Sequence, residues 1–195
     1  MRAIPVLLLL SLPLVAGAAS AAPADDAVPA ARSLAGVPLH ATPLSEAAQA
    51  RLEGNLAEAR AAFEAEPDEE ATIWLGRRLA YLQRYDEAIA VFTEGLERFP
   101  ESYRLHRHRG HRYISTRRLE LAVADLERAY ALMPKEVTEL EPDGIPNAIG
   151  QPLSNTQFNV LYHLALAHYL RGDFAEAEAV WRECLDYSPN PDLLV

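Results

Sequence analysis

Between Glu69 and Pro134 the chain repeats itself at a distance of thirty-four residues. Leu75-Gly76 is answered by Arg109-Gly110, Leu79 by Tyr113, Ala88 by Ala122, Phe92 by Leu126 and Pro100 by Pro134. A fixed period of this length points to stacked helical units, none of which can bury its apolar face alone. The slots carry their own logic. Small residues stand where two helices must approach closely, and a proline closes each unit because it cannot continue a helix. The pattern returns downstream as Leu164-Ala165, Ala177 followed by Trp181, and Pro189. Upstream, Ala59 and Phe63 fit the small and aromatic slots, but Ala59 lies only 29 residues before Ala88. That upstream copy reads as a degenerate end unit with one face in water.

The residues resemble the tetratricopeptide repeat, whose pattern is W-x2-L-G-x2-Y, then A-x3-F, then P. One copy reads Thr72-x2-Leu75-Gly76-x2-Leu79, Ala88-x3-Phe92 and Pro100. The next reads His106-x2-Arg109-Gly110-x2-Tyr113, Ala122-x3-Leu126 and Pro134. The resemblance implies an all-α protein, an α–α superhelix of about four antiparallel helix pairs. The units fall near 44–67, 69–100, 103–134 and 156–189. In such solenoids the first helix of each pair lines a concave face. That face often holds an extended peptide, sometimes by its C-terminal carboxylate.

Within this frame, helices are expected over 69–82 and 86–99, 103–115 and 119–132, and 158–170 and 174–187. An earlier pair is read over 44–51 and 56–65, turning at Gly54-Asn55, which echoes the turn at Gly172-Asp173. Trp74 and Leu75 are core candidates. The period breaks between Ala122 and Ala177, which are 55 residues apart, one unit plus 21. The excess lies within 135–155 and is rich in turn formers: Pro142-Asp143-Gly144, Pro146-Asn147, Gly150 and Pro152. An insertion of this length in a compact domain is usually functional or disordered. Ser154 and Gln157 have the spacing of a capping box for the helix that follows. The stretch 191–195 reads as the truncated start of a further helix, so the last apolar face lacks the polar cap that ends most repeat stacks.

Residues 1–22 have the three parts of a secretory signal: a basic end at Arg2, an apolar run from Ile4 to Val15, and small residues up to Ala22. The run is shorter than the ~20 residues that a spanning helix needs. No stable membrane span is therefore expected after cleavage, and the address is periplasmic or secreted. Residues 23–43 read as a flexible leader rich in alanine and proline. The formal charge is −10, and removal of Arg2 makes it −11, which argues against nucleic acid as a partner. Cys184 is the single cysteine, so no internal disulfide forms. It falls in the small slot that Ala129 fills one unit earlier.

One segment opposes the acidic character of the chain. From Arg104 to Arg118 there are six arginines and three histidines and no acid. Residues three and four apart share a helix side, so Arg104, Arg107 and His111 face one way. The matching positions in the flanking units place Arg77, Asn159, Tyr162 and Tyr169 beside them. Arginine forks suit carboxylates, and tyrosines add apolar area with a polar tip. The expectation is a groove for a protein or an acidic or C-terminal peptide segment, lined by Arg77, Arg104, Arg107, His111, Asn159, Tyr162 and Tyr169. The plainer reading is an arginine-rich helix that pairs with nearby acids. Arg109 replaces the leucine of the pattern, and a buried arginine needs a carboxylate; Glu120, Asp125 or a residue of the insertion are the candidates.

Of His106, His108 and His111, only the last two can meet on one helix side, and no metal-ligand pattern accompanies them. No nucleophile, phosphate or dinucleotide motif is present, so neither catalysis nor a cofactor is expected. Two alternatives to the adaptor reading stand. One is a structural subunit that docks or oligomerises through the open C-terminal helices. The other is an envelope enzyme with a site beside 135–155, where Glu141 and Asp143 form an acidic pair.

Overall fold

The computed structural model describes residues 29–136 and 155–187. Residues 1–28, where a secretory signal is expected, the insertion with Glu141, Asp143 and Ser154, and the residues after Tyr187 lie outside them. A short antiparallel hairpin pairs β1 (Ala31–Arg32) with β2 (Pro38–Leu39) through Gly36, whose φ of 79° suits glycine. It lies in the stretch read as a leader. Thr42 ties that stretch to the body. Its N–H donates to Gln83 Oε1 at 2.9 Å, and Gln83 Nε2 donates to the Thr42 carbonyl at 2.6 Å.

Seven helices follow among the described residues: α1 (Glu46–Ala65), α2 (Glu69–Tyr81), α3 (Tyr85–Arg98), α4 (Tyr103–Ser115), α5 (Leu119–Leu132), α6 (Thr156–Arg171) and α7 (Phe174–Asp186). The first differs from expectation. Gly54-Asn55 makes no turn, and α1 runs unbroken through both residues. Ser45 caps it by accepting from Ala48 N, and alanine, leucine, glutamate and arginine around Gly54 propagate a helix well. The first unit is therefore one long helix, followed by three antiparallel pairs.

The pairs start and stop by repeated means. Asp68, Ser102 and Asn155 are the N-caps of α2, α4 and α6, accepting from the amides of Ala71, Leu105 and Phe158. Asn155, not Ser154, is thus the cap of α6. Gln157 does not reach back to the cap. It is fully buried and donates to the carbonyls of Pro134 at 3.1 Å and Glu136 at 2.8 Å. The turns inside the pairs need a left-handed residue, and Gln83 (φ 60°), Arg117 (φ 61°) and Gly172 (φ 97°) supply it in one register.

The first helices α2, α4 and α6 touch in sequence to form one layer, and α3, α5 and α7 alternate with them to form the second. Close approach inside a pair explains the helical glycines. A β-carbon at Gly76 would sit 2.2 Å from the Phe92 ring, and one at Gly110 would sit 2.8 Å from Leu126. Leu75, Leu79, Phe92 and Leu105 anchor the core of the first half. Val123, Leu126, Leu164 and Ala167 anchor that of the second. Cys184 is buried, donates to the Phe158 carbonyl, and has its thiol pKa pushed up to about 12 by burial and the Glu183 charge.

Candidate protein-binding face

Helix α4 presents two basic sides, and the structure assigns them different work. Arg109 turns toward α5 and forks onto Asp125, with Nε at 2.6 Å and Nη2 at 2.8 Å. His106 Nδ1 lies 3.0 Å from the same carboxylate. Asp125 is thus the partner that the buried arginine requires. Its pKa is lowered: burial pushes it up, but the hydrogen bonds from Arg109 and His106 outweigh that. In the neighbouring pairs these two slots hold Leu75 with Val91 and Leu164 with Val180. The third unit has replaced both members of one apolar contact by a charge pair.

The other side of α4 carries Arg104, Arg107, His108, His111 and Arg112, which recur at three and four residues and so form one stripe. Arg104 Nη1 pairs with Glu70 of α2 at 2.6 Å, at the half-exposed edge. Deeper in, Arg107 and Arg77 are both buried. Arg107 Nη2 donates to His108 Nε2 at 2.7 Å, which fixes that nitrogen as a bare acceptor. The His108 ring stacks on Phe92 at 5.7 Å. Arg77 lies 4.5 Å above the Trp74 ring and within 3.4 Å of the Tyr81 hydroxyl. Trp74, expected in the core, is only half-buried, held between arginines Arg77 and Arg78 while its Nε1 donates to Glu70. Arg112 sits 5.5 Å above Tyr85.

On α6 the partner of this stripe is His163, whose ring lies 4.0 Å from that of His111. Its Nδ1 is 2.6 Å from the Asn159 carbonyl, which only accepts, so Nδ1 carries the proton and Nε2 is bare. Burial and the neighbouring arginines oppose positive charge on the imidazoles. Burial, and then Arg107 and Arg112, bring the His163 pKa to about 4 despite that carbonyl. His111 is pushed well below its ordinary value by burial, then by His163, Arg112, Arg107 and Arg77. His108 falls well below as well, by burial and then Arg107, Arg77, His111 and Arg112. Burial lowers even Arg112 to about 10. At neutral pH the site is therefore a set of charged arginines around neutral imidazoles.

The structure thus gathers Arg77, Arg104, Arg107 and His111, with Asn159 entering through its backbone. Tyr162 meets the His163 ring edge-on at 5.4 Å, but it and Tyr169 open the other way. They line a cavity of about 550 Å³ with Phe158, Phe174, Trp181 and Leu185, against α7. His163 and Arg112 escaped the site prediction. The only trace of His163 in the sequence is its register, since Trp74, His108 and His163 occupy one slot once the insertion is subtracted. His106, His108 and His111 face Asp125, Arg107 and His163 respectively, and among the described residues no three metal-ligating side chains converge.

A layered stack of helix pairs with a polar, partly sunken first-helix face defines the class of fold: a tetratricopeptide-type α-solenoid. Residues 158–191 match the family model of the tetratricopeptide repeat. No curated protein matches the chain in sequence. Among solved structures, the fold is similar to the "MamA RS-1 ArsTM double mutant" at 19% identity and a TM-score of 0.54, covering 73% of this chain and 68% of that one. It is also similar to "MamA 41-end from Desulfovibrio magneticus RS-1", at 15% identity and 0.53, covering 72% and 68%. A further MamA crystal structure matches at 16% identity and 0.53, covering 76% and 78%. No helix among the described residues is long and apolar enough to cross a membrane.

Proposed function

We propose that this chain is an exported, non-catalytic adaptor that binds an acidic segment of another protein on the face built by α2, α4 and α6. The observation that carries this reading is the stripe of Arg104, Arg107 and Arg112 along α4, beside Arg77 of α2, in a chain that is otherwise acidic. The imidazoles of His111 and His163 have their pKa depressed in part by Arg107 and Arg112. Arginine forks suit carboxylates, so a helix face rich in them favours a carboxylate-bearing segment. Arg104, at the edge, extends the same face toward solvent. Export rests on the three-part sequence of residues 1–22.

The test is fluorescence anisotropy with a labelled Glu/Asp-rich decapeptide, beside its amidated form and a Lys-rich counterpart. The acidic peptide should bind and weaken with salt, and Arg104→Ala should weaken it by roughly 3- to 10-fold. Loss on amidation would place the terminal carboxylate in the face. Equal binding of acidic and basic peptides, or no binding at low salt, would refute the proposal.

A further inference from the structure

Four of the exposed large apolar side chains lie side by side on the last pair: Tyr162 (43% exposed), Tyr169 (50%), Phe174 (64%) and Leu185 (48%). With Trp181 and Phe158 they line the 550 Å³ cavity. Surface apolar groups scattered singly need no explanation, but a contiguous aromatic patch around a cavity marks an interaction site.

The repeat register shows what kind of cover this face is built for. Along α7 the lining residues are Phe174, Glu178, Trp181 and Leu185, spaced four, three and four. On α5 the same register holds Leu119, Val123, Leu126 and Tyr130. The first three of these are buried, and α6 packs against that side. So the α7 stripe repeats a surface that elsewhere in the molecule is closed by a helix, and its spacing is that of a helix–helix seam.

The stripe also reads the same in both directions. Run against a second copy of itself, it sets Phe174 opposite Leu185 at each end and Trp181 opposite Glu178 in the middle. Glu178 is charged, but Arg182 one turn on in the same helix holds its carboxylate at 2.6 Å, so each copy brings this charge to the contact already paired. No other helix among the described residues exposes a comparable apolar stripe. We propose that this chain forms a two-fold dimer in which α7 packs antiparallel against α7 of a second copy, with Tyr162 and Tyr169 closing the flanks. Such a contact is isologous, the same patch serving both copies.

The experiment is light scattering of the chain across roughly 1 to 100 μM, where a contact of ordinary size associates. The wild type should show twice the monomer mass of 21.5 kDa. Phe174→Glu with Leu185→Glu should weaken the dimer by on the order of 30-fold or more, with an unchanged helical circular dichroism spectrum. A chain with lysine at both positions should behave likewise alone. Mixed with the glutamate chain, it should restore a heterodimer, because residue 174 of one copy faces residue 185 of the other. A monomeric wild type across the range would overturn the proposal. So would a dimer indifferent to the glutamate pair, or a mixture that stays monomeric; in those cases another protein's helix, or the chain's own residues beyond Tyr187, covers the face.

Discussion

Lowering the pH should loosen the contact between α4 and α6, and His163 gives the size of the effect. Its pKa is about 4 in the folded chain against an ordinary value of 6.5. The folded state therefore favours the neutral ring, and the unfolded chain takes up the proton first. The stability this provides is complete above pH ~6.5, falls as the pH drops below that, and levels off below pH ~4. By pH 5 the loss from His163 alone is about 2 kcal/mol, rising to about 3 kcal/mol at the acid limit. His108 and His111 push in the same direction. The assay is urea unfolding followed by the fluorescence of Trp74 and Trp181, at pH 7.5 and pH 5, for the wild type and His163→Gln. Glutamine keeps a donor for the Asn159 carbonyl but takes up no proton. The wild type should lose about 2 kcal/mol more than the variant over that interval. An equal loss in both proteins would show that the His163 ring is solvated or that its arginine neighbours are not where the structure puts them.

Other changes follow from packing. Gly76→Ala forces a methyl into the Phe92 ring and should cost ~1–3 kcal/mol by thermal melting, whereas Gly54→Ala, in open helical space, should gain up to ~1 kcal/mol. Asp125→Val strands Arg109 and should cost ~3–5 kcal/mol in chemical denaturation. The double change with Arg109→Leu restores the apolar contact of the neighbouring pairs and should fall within ~1 kcal/mol of wild type. Gln157→Leu removes both donors to the Pro134 and Glu136 carbonyls and should cost ~1–3 kcal/mol, with faster amide exchange in the first turn of α6.

The period made the helix pairs readable, because glycine, alanine and proline occupy slots where geometry admits little else. Residues 103–115 and 119–132 fold as helices at those bounds. Gly54-Asn55 misled because it resembles Gly172-Asp173 by sequence alone. A turn also needs a left-handed residue, and Gly172 has one while Gly54 remains helical. The true markers at Gln83 and Arg117 carry no turn composition, since the packing of the helices they join enforces their backbone. Arg109 was readable as a buried charge, but its choice of Asp125 depended on a facing helix. Placing Tyr162 and Tyr169 by register alone failed to see that nothing stacks beyond α7 among the described residues. Their side of α6 therefore opens onto the aromatic cavity. His163 was invisible because its meaning comes from His111, on a different helix more than fifty residues away.

The grip of Gln157 on both Pro134 and Glu136 joins the two ends of the insertion. The chain leaves the stack and rejoins it at one clasp, which adds two hydrogen bonds to the apolar packing of α6 on α5. Doubling a closed loop costs only ~0.6 kcal/mol in chain entropy. A clasp at both ends of an insertion thus anchors it to the stack independently of its length.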